Sequence, residues 1–108
     1  MTHLPAELEL AWLAELPRVV RLGGILLLTV HGERLFRHAP KGLRAELDQR
    51  GFCYVNVGGT AGLPDYYQVS YHSEAYIRRR WSDFFRIRTI TSFGDQDAVI
   101  CEKPLKNL

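Results

Sequence analysis

The sequence predicts an α/β domain, its sheet mostly parallel with one antiparallel member. Three observations lead there. The run Ile25–Val30, ILLLTV, is apolar except for Thr29 and does not alternate, the pattern of a strand buried on both faces. Helix-like and strand-like segments follow one another as helix, strand, helix, hairpin, helix, strand, strand, and such alternation favours a layered α/β sheet. Apolar residues make up 46% of the 108 and charged residues 24%, which is enough for one hydrophobic core and speaks against disorder.

The elements can be justified in order. Residues 5–21 read as an amphipathic helix, with Leu8, Trp12, Leu16 and Val19/Val20 on one stripe. Pro5 suits its start. Glu7 and Glu9 near the beginning, with Arg18 and Arg21 near the end, complement the helix dipole. Pro17 removes a backbone donor and predicts a kink or an early end, and Gly23-Gly24 stop the chain before the buried strand. Residues 40–50 form a second helix: Leu43 and Leu47 lie one turn apart, Glu46 precedes Arg50 by four, and Gly51 is the stop.

Phe52–Val57 and Tyr67–His72 are rich in strand formers and read as a hairpin with a long tip, Gly58–Asp65. In the second of these strands Gln68 and His72 share one face and Tyr67 and Tyr71 the other, and a solvated polar face accounts for the first pair. Ser73 caps a third helix running to about Trp81, with Glu74 in its first turn. Phe84–Ile90 and Ala98–Lys103 are the last strands, joined by the turn-prone Ser92–Asp97.

Charge and cysteine content narrow the function. The formal net charge is +2, and each half of the chain carries seven Lys or Arg and six Asp or Glu, so bulk electrostatics do not point to nucleic acid or membrane. The one basic cluster, Arg78-Arg79-Arg80 with Arg86 and Arg88, is interleaved with Trp81, Phe84 and Phe85. Consecutive helical residues spread over roughly 200°, so a solvated basic face with core aromatics is the preferred reading over nucleic-acid contact. Cys53 and Cys101 lack metal or redox spacing and read as buried, reduced thiols. Neither a secretory leader nor an apolar run of membrane-spanning length is legible, so a cytoplasmic protein is expected.

Two stretches carry a resemblance. His3–Gly32 has a His-Leu-Pro turn, Trp-Leu-x-Glu-Leu in a helix and Gly-Gly before an apolar strand. Tyr67–Ile87, YQVSYHSEAYIRRRWSDFFRI, is followed by QDAVICEKP at Gln96–Pro104. In order and spacing these resemble the C-terminal half of a class I methyltransferase that uses S-adenosylmethionine. The resemblance implies a partial Rossmann-like fold holding the family's fifth, seventh and sixth strands, flanking helices and a β-hairpin. The chain departs at Pro17, where a basic residue is usual, and at Leu22, where the family has Pro.

The family's cofactor is held by a Gly-rich turn and an acidic strand end that come before the segment matching His3. Gly58–Gly62, GGTAG, is not a substitute: it opens no helix and Pro64 follows. By the resemblance, this chain alone is an inactive half. The strand Ile25–Val30 would have one bare edge and bare faces, which favours self-association or pairing with the missing N-terminal half. The alternative is a small non-catalytic α/β binding or oligomerisation module.

Ligands of open α/β sheets lie beyond the carboxyl ends of the strands, here Thr29–Gly32. The resemblance puts a small-molecule methyl acceptor there, bordered by Thr29 and Gly32. His31 is the candidate proton acceptor because its ordinary pKa suits the role. Tyr67, Gln68 and His72 would cover the acceptor, and His3 would lie beside the cofactor's sulfonium. No metal-ligand spacing is present.

Overall fold

The computed structural model describes residues 1–33, 41–56 and 68–105. Its elements are helix α1 (Ala6–Val19), strand β1 (Ile25–Val30), helix α2 (Lys41–Arg50), the hairpin strands β2 (Phe52–Asn56) and β3 (Gln68–His72), helix α3 (Glu74–Arg80) with a 3-10 turn at Trp81–Asp83, and strands β4 (Arg86–Phe93) and β5 (Gln96–Glu102). The fold is mixed α/β with two antiparallel sheets. One has the order β1-β5-β4, and the other is the β2-β3 hairpin.

The expectation of a mostly parallel sheet is corrected. β5 lies between β1 and β4 and runs antiparallel to both, from Ile25↔Glu102 to Val30↔Asp97 on one side and from Arg86↔Glu102 to Phe93↔Gln96 on the other. β4 and β5 are joined by a tight turn at Gly94-Asp95, where Gly94 has a φ of 62°. Most of the stretch read as a loop, Ser92–Asp97, is therefore strand, because only a two-residue connection is needed between antiparallel neighbours.

The strand ILLLTV is not buried on both faces. Leu26, Leu28 and Val30 face the core, whereas Ile25 and Leu27 are about half exposed. Apolar side chains thus occupy a face that the described residues leave uncovered. The outer edge of β1 has no paired strand among the described residues. Near its carboxyl end the Met1 ammonium donates to the Thr29 carbonyl at 3.0 Å, and a single parallel bridge joins His31 to Tyr71.

Helix α1 turns a different stripe inward than the sequence suggests. Glu9 and Leu13 are buried, with Leu10 and Leu16 packed against the core, while Leu8, Trp12 and Val19 are exposed. Pro17 sits in the last turn, where the helix is already ending. It continues two residues further, and the Pro17 carbonyl accepts a hydrogen bond from Lys103 Nζ.

The main core joins Leu13, Val30, Ile77, Trp81, Phe85, Val99 and Cys101. Leu47 and Cys53 form a smaller cluster beneath the hairpin, with Val55 and Tyr71 against it. Ser73 caps α3 as expected, its hydroxyl accepting from the Tyr76 amide at 3.1 Å. Both cysteines are free and buried. Burial pushes each thiol up to about 11, with Glu46 adding to the rise at Cys53, so neither is a nucleophile near neutrality.

Candidate functional site

The hairpin docks on the end of the main sheet through backbone and side chain together. The Ser70 amide donates to the Thr2 carbonyl at 2.8 Å and the His72 amide to the His31 carbonyl at 2.9 Å. Strand alternation puts Ser70 and His72 on one face. Ser70 and His72 are both fully buried, so His72 is not on a solvated face as the sequence suggests. The Ser70 hydroxyl donates to the Met1 carbonyl at 3.1 Å, and one nitrogen of His72 meets Glu9.

Glu9 is the centre of this arrangement. Its side chain is 0% exposed, Oε2 lies 2.7 Å from His72 Nε2, and Oε1 accepts from the Trp81 indole N–H at 2.6 Å. A carboxylate only accepts, so Nε2 carries the hydrogen, and in the neutral ring Nδ1 holds the lone pair. His72 Nδ1 is buried and has no hydrogen-bond partner among the described residues. Phe52, Tyr76 and Trp81 pack around the imidazole, with ring centroids 5.0, 5.9 and 5.8 Å away.

Beside this group, beyond the carboxyl end of β1, lies a cavity of about 240 Å³. Gly32, Glu33, His72, Glu74, Ile77, Ile90, Thr91, Ser92 and Asp97 line it. Its shape depends on Gly32. A Cβ there would stand 1.9 Å from Asp97 Oδ2, so the Asp97 carboxylate occupies the space that any other residue would fill. Glu33 accepts from the Glu74 amide at 3.2 Å, and Glu74 pairs with Arg78 at 3.0 Å.

Of the residues singled out from sequence, the structure brings Gly32 and His72 to this cavity. Thr29 does not line it; its carbonyl holds the Met1 ammonium instead. His31 lies outside the lining and stands against His3 and Tyr71, with ring centroids 6.1 and 5.7 Å apart. Its imidazole is held below the ordinary range by burial. The Ser70 backbone opposes that shift, while nearby His3, His72 and the chain's own ammonium add to it. Gln68 belongs to β3, but its side chain lies outside the described residues, as do Tyr67, the tip Gly58–Asp65 and His38.

Sequence reasoning missed Glu9, Glu33, Glu74 and Asp97 as site residues. Glu9 read as a dipole-favoured acid in the first turn. The available signal was its spacing of four and seven from Leu13 and Leu16, which puts a charge on an apolar stripe. In the basic cluster Trp81 and Phe85 are buried and Phe84 is partly buried against the core, Arg88 pairs with Glu102 at 2.8 Å, and Arg79 lies 6.0 Å above the Tyr76 ring. No helix among the described residues is long and apolar enough to cross a membrane, and no group of three or more His, Cys, Asp or Glu among them could hold a metal ion. Compared with family models, curated proteins and solved structures, the chain matches none.

Proposed function

We propose that the chain is the acceptor-side half of a class I methyltransferase domain that uses S-adenosylmethionine. The observation that carries this reading is the sheet order β1-β5-β4 with the antiparallel strand in the middle. The family's fifth, seventh and sixth strands have that order, and few connections produce it: β4 and β5 form a hairpin, yet β5 inserts between β4 and β1. Residues 1–2 lend support. They lie against the outer edge of β1 and are held by the Thr29 carbonyl and by Ser70, where the end of a fourth strand would run.

The residues present do not make a cofactor site. Of the positions the resemblance puts near S-adenosylmethionine, the described residues supply His3 alone, and it stands against His31. No step through the cofactor is derived for this chain. What it does supply is the far wall: a cavity at the carboxyl end of β1 with the Glu9-bound His72 in its lining. Methyl transfer is an in-line displacement, so positioning the acceptor and excluding water are the tasks of such a wall.

A second reading has its own observation. The apolar side chains of Leu8, Trp12, Ile25 and Leu27 are about half exposed, and the β1 edge is open, which suits a non-catalytic pairing module. Calorimetric titration with S-adenosylhomocysteine separates the two. The 108-residue chain is titrated alone and joined to the polypeptide encoded immediately upstream. Saturable binding only in the joined protein is the expected result. Absence of binding in both overturns the methyltransferase reading and leaves the pairing module.

A further inference from the structure

We propose that the junction fastening β3 and residues 1–3 to the end of β1 is an acid-released clasp, with His31 as its trigger. Protonation of His31 frees the hairpin from the main sheet while β4 and β5 stay paired. The fastening consists of few bonds. The His72 amide donates to the His31 carbonyl at 2.9 Å, the Ser70 amide to the Thr2 carbonyl at 2.8 Å, and the Ser70 hydroxyl to the Met1 carbonyl at 3.1 Å. The Met1 ammonium is tied in turn to the Thr29 carbonyl at 3.0 Å, and Glu9 holds His72 from α1. His31 joins β3 twice, because its imidazole also bonds the Ser70 backbone.

Two features make the docked imidazole a poor place for a proton. Its Nδ1 is buried and has no hydrogen-bond partner among the described residues. In the neutral ring that atom holds a lone pair; an added proton makes it a buried N–H with nothing to accept it. The second feature is like charge. The His3 ring stands edge-on to it, with centroids 6.1 Å apart, and His3, His72 and the Met1 ammonium all repel a charge placed there. The carboxylates on the elements packed at this end are engaged elsewhere: Glu9 of α1 with His72 and Trp81, Glu33 with the Glu74 amide of α3, and Asp97 of β5 beside Gly32. From β3, Tyr71 presents its ring at 5.7 Å. The Ser70 backbone favours the charged imidazole, but burial outweighs it.

The direction of the switch follows from linkage. Docked His31 has its pKa below 6.5, and release returns it to the ordinary value. Above 6.5 the ring is neutral in both forms and docking is at full strength. As pH falls the released form takes the proton first, so docking weakens down through the docked pKa and then levels off. The cavity at this end of the sheet has Gly32 and His72 in its lining, so release also takes away part of its wall. The clasp is a property of the fold alone. It goes beyond the methyltransferase reading and does not rest on it.

The test is nuclear magnetic resonance of the 108-residue chain, labelled with nitrogen-15, between about pH 7.5 and 5. The His31 ring nitrogens are expected to titrate with a midpoint below 6.5. Over the same range the Ser70 and His72 amides should lose protection from hydrogen exchange several-fold, after correction for the intrinsic pH dependence of exchange. The amides of β4 and β5 should not. His31→Gln keeps a donor for the Ser70 backbone but cannot titrate, so the loss in β3 should disappear. His3→Gln removes a neighbouring charge; it should raise the His31 midpoint toward 6.5 and lessen the loss. A midpoint at or above 6.5 overturns the proposal, as does no loss in β3, an equal loss in β4 and β5, or a loss that persists unchanged in His31→Gln. Should His31→Gln fail to fold, His3→Gln decides, and an unchanged midpoint with an unchanged loss overturns the clasp. No S-adenosylhomocysteine is present, so failure here leaves the methyltransferase reading standing, and success here does not rescue it.

Discussion

Glu9 shows how much one side chain can determine. Its carboxylate satisfies two buried donors from residues far along the chain, the imidazole of His72 and the indole of Trp81. Glu9→Ala strands both. Each orphaned buried donor costs roughly 1–3 kcal/mol, so a loss of roughly 2–5 kcal/mol is expected in urea unfolding. A loss below about 1 kcal/mol would show that neither bond matters to stability. His31 gives a prediction in pH. Burial lowers its folded pKa below the unfolded value of 6.5. Above that value both states are neutral and the stability is fully present. As pH falls, the unfolded chain takes the proton first, and stability is lost through the folded pKa. The wild-type unfolding midpoint should therefore fall between about pH 7.5 and 5 more steeply than that of His31→Gln.

The elements themselves were largely legible in the sequence. β1 occupies Ile25–Val30, α2 ends at Gly51, and Ser73 caps α3, each from local chemistry that needs no tertiary information. Gly51 has a φ of 76°, and a Cβ there would lie 2.6 Å from Tyr76 Cβ and 2.7 Å from Ser73 Oγ. Gly51→Ala should cost about 1–3 kcal/mol from backbone strain and crowding. Gly42→Ala, in the exposed helix α2 with nothing within 4 Å, should instead gain about 0.5–1 kcal/mol. Parallel denaturation curves of the two variants check both signs. The inward face of α1 was not legible. Leu8 and Trp12 form as good an apolar stripe as Leu13 and Leu16, and periodicity cannot say which stripe meets the sheet. The buried polar face of β3 was hidden for a similar reason. Ser70 and His72 look like solvent-facing residues until Glu9 and the backbone of residues 1–2 are brought beside them by contacts remote in sequence.

At the scale of the whole molecule, the open outer face of β1 was the main departure from expectation. A non-alternating apolar run indicates two-sided burial, but Ile25 and Leu27 are apolar on a face that the described residues leave open. Their composition fits a larger layered sheet than these residues build. Together with the exposed Leu8, Trp12 and Val19 and the open β1 edge, they predict association of the 108-residue chain at high micromolar concentration. Leu27→Lys, at the centre of the open strand, should shift the equilibrium toward monomer without unfolding the chain. Sedimentation of wild type and variant measures it, and a monodisperse wild-type monomer would remove the idea.

The Glu9 carboxylate also bears on cooperativity. The hairpin has its own small cluster under Leu47 and Cys53 and by packing alone could swing away from the main sheet at little cost. It cannot do so independently, because undocking β3 would strip a buried carboxylate of one of its two donors at the base of α1. Local opening of the hairpin and fraying of α1 are therefore coupled events. Amide protons in β3 and in the first half of α1 should exchange with solvent through a shared opening, as one unit of the native ensemble rather than two.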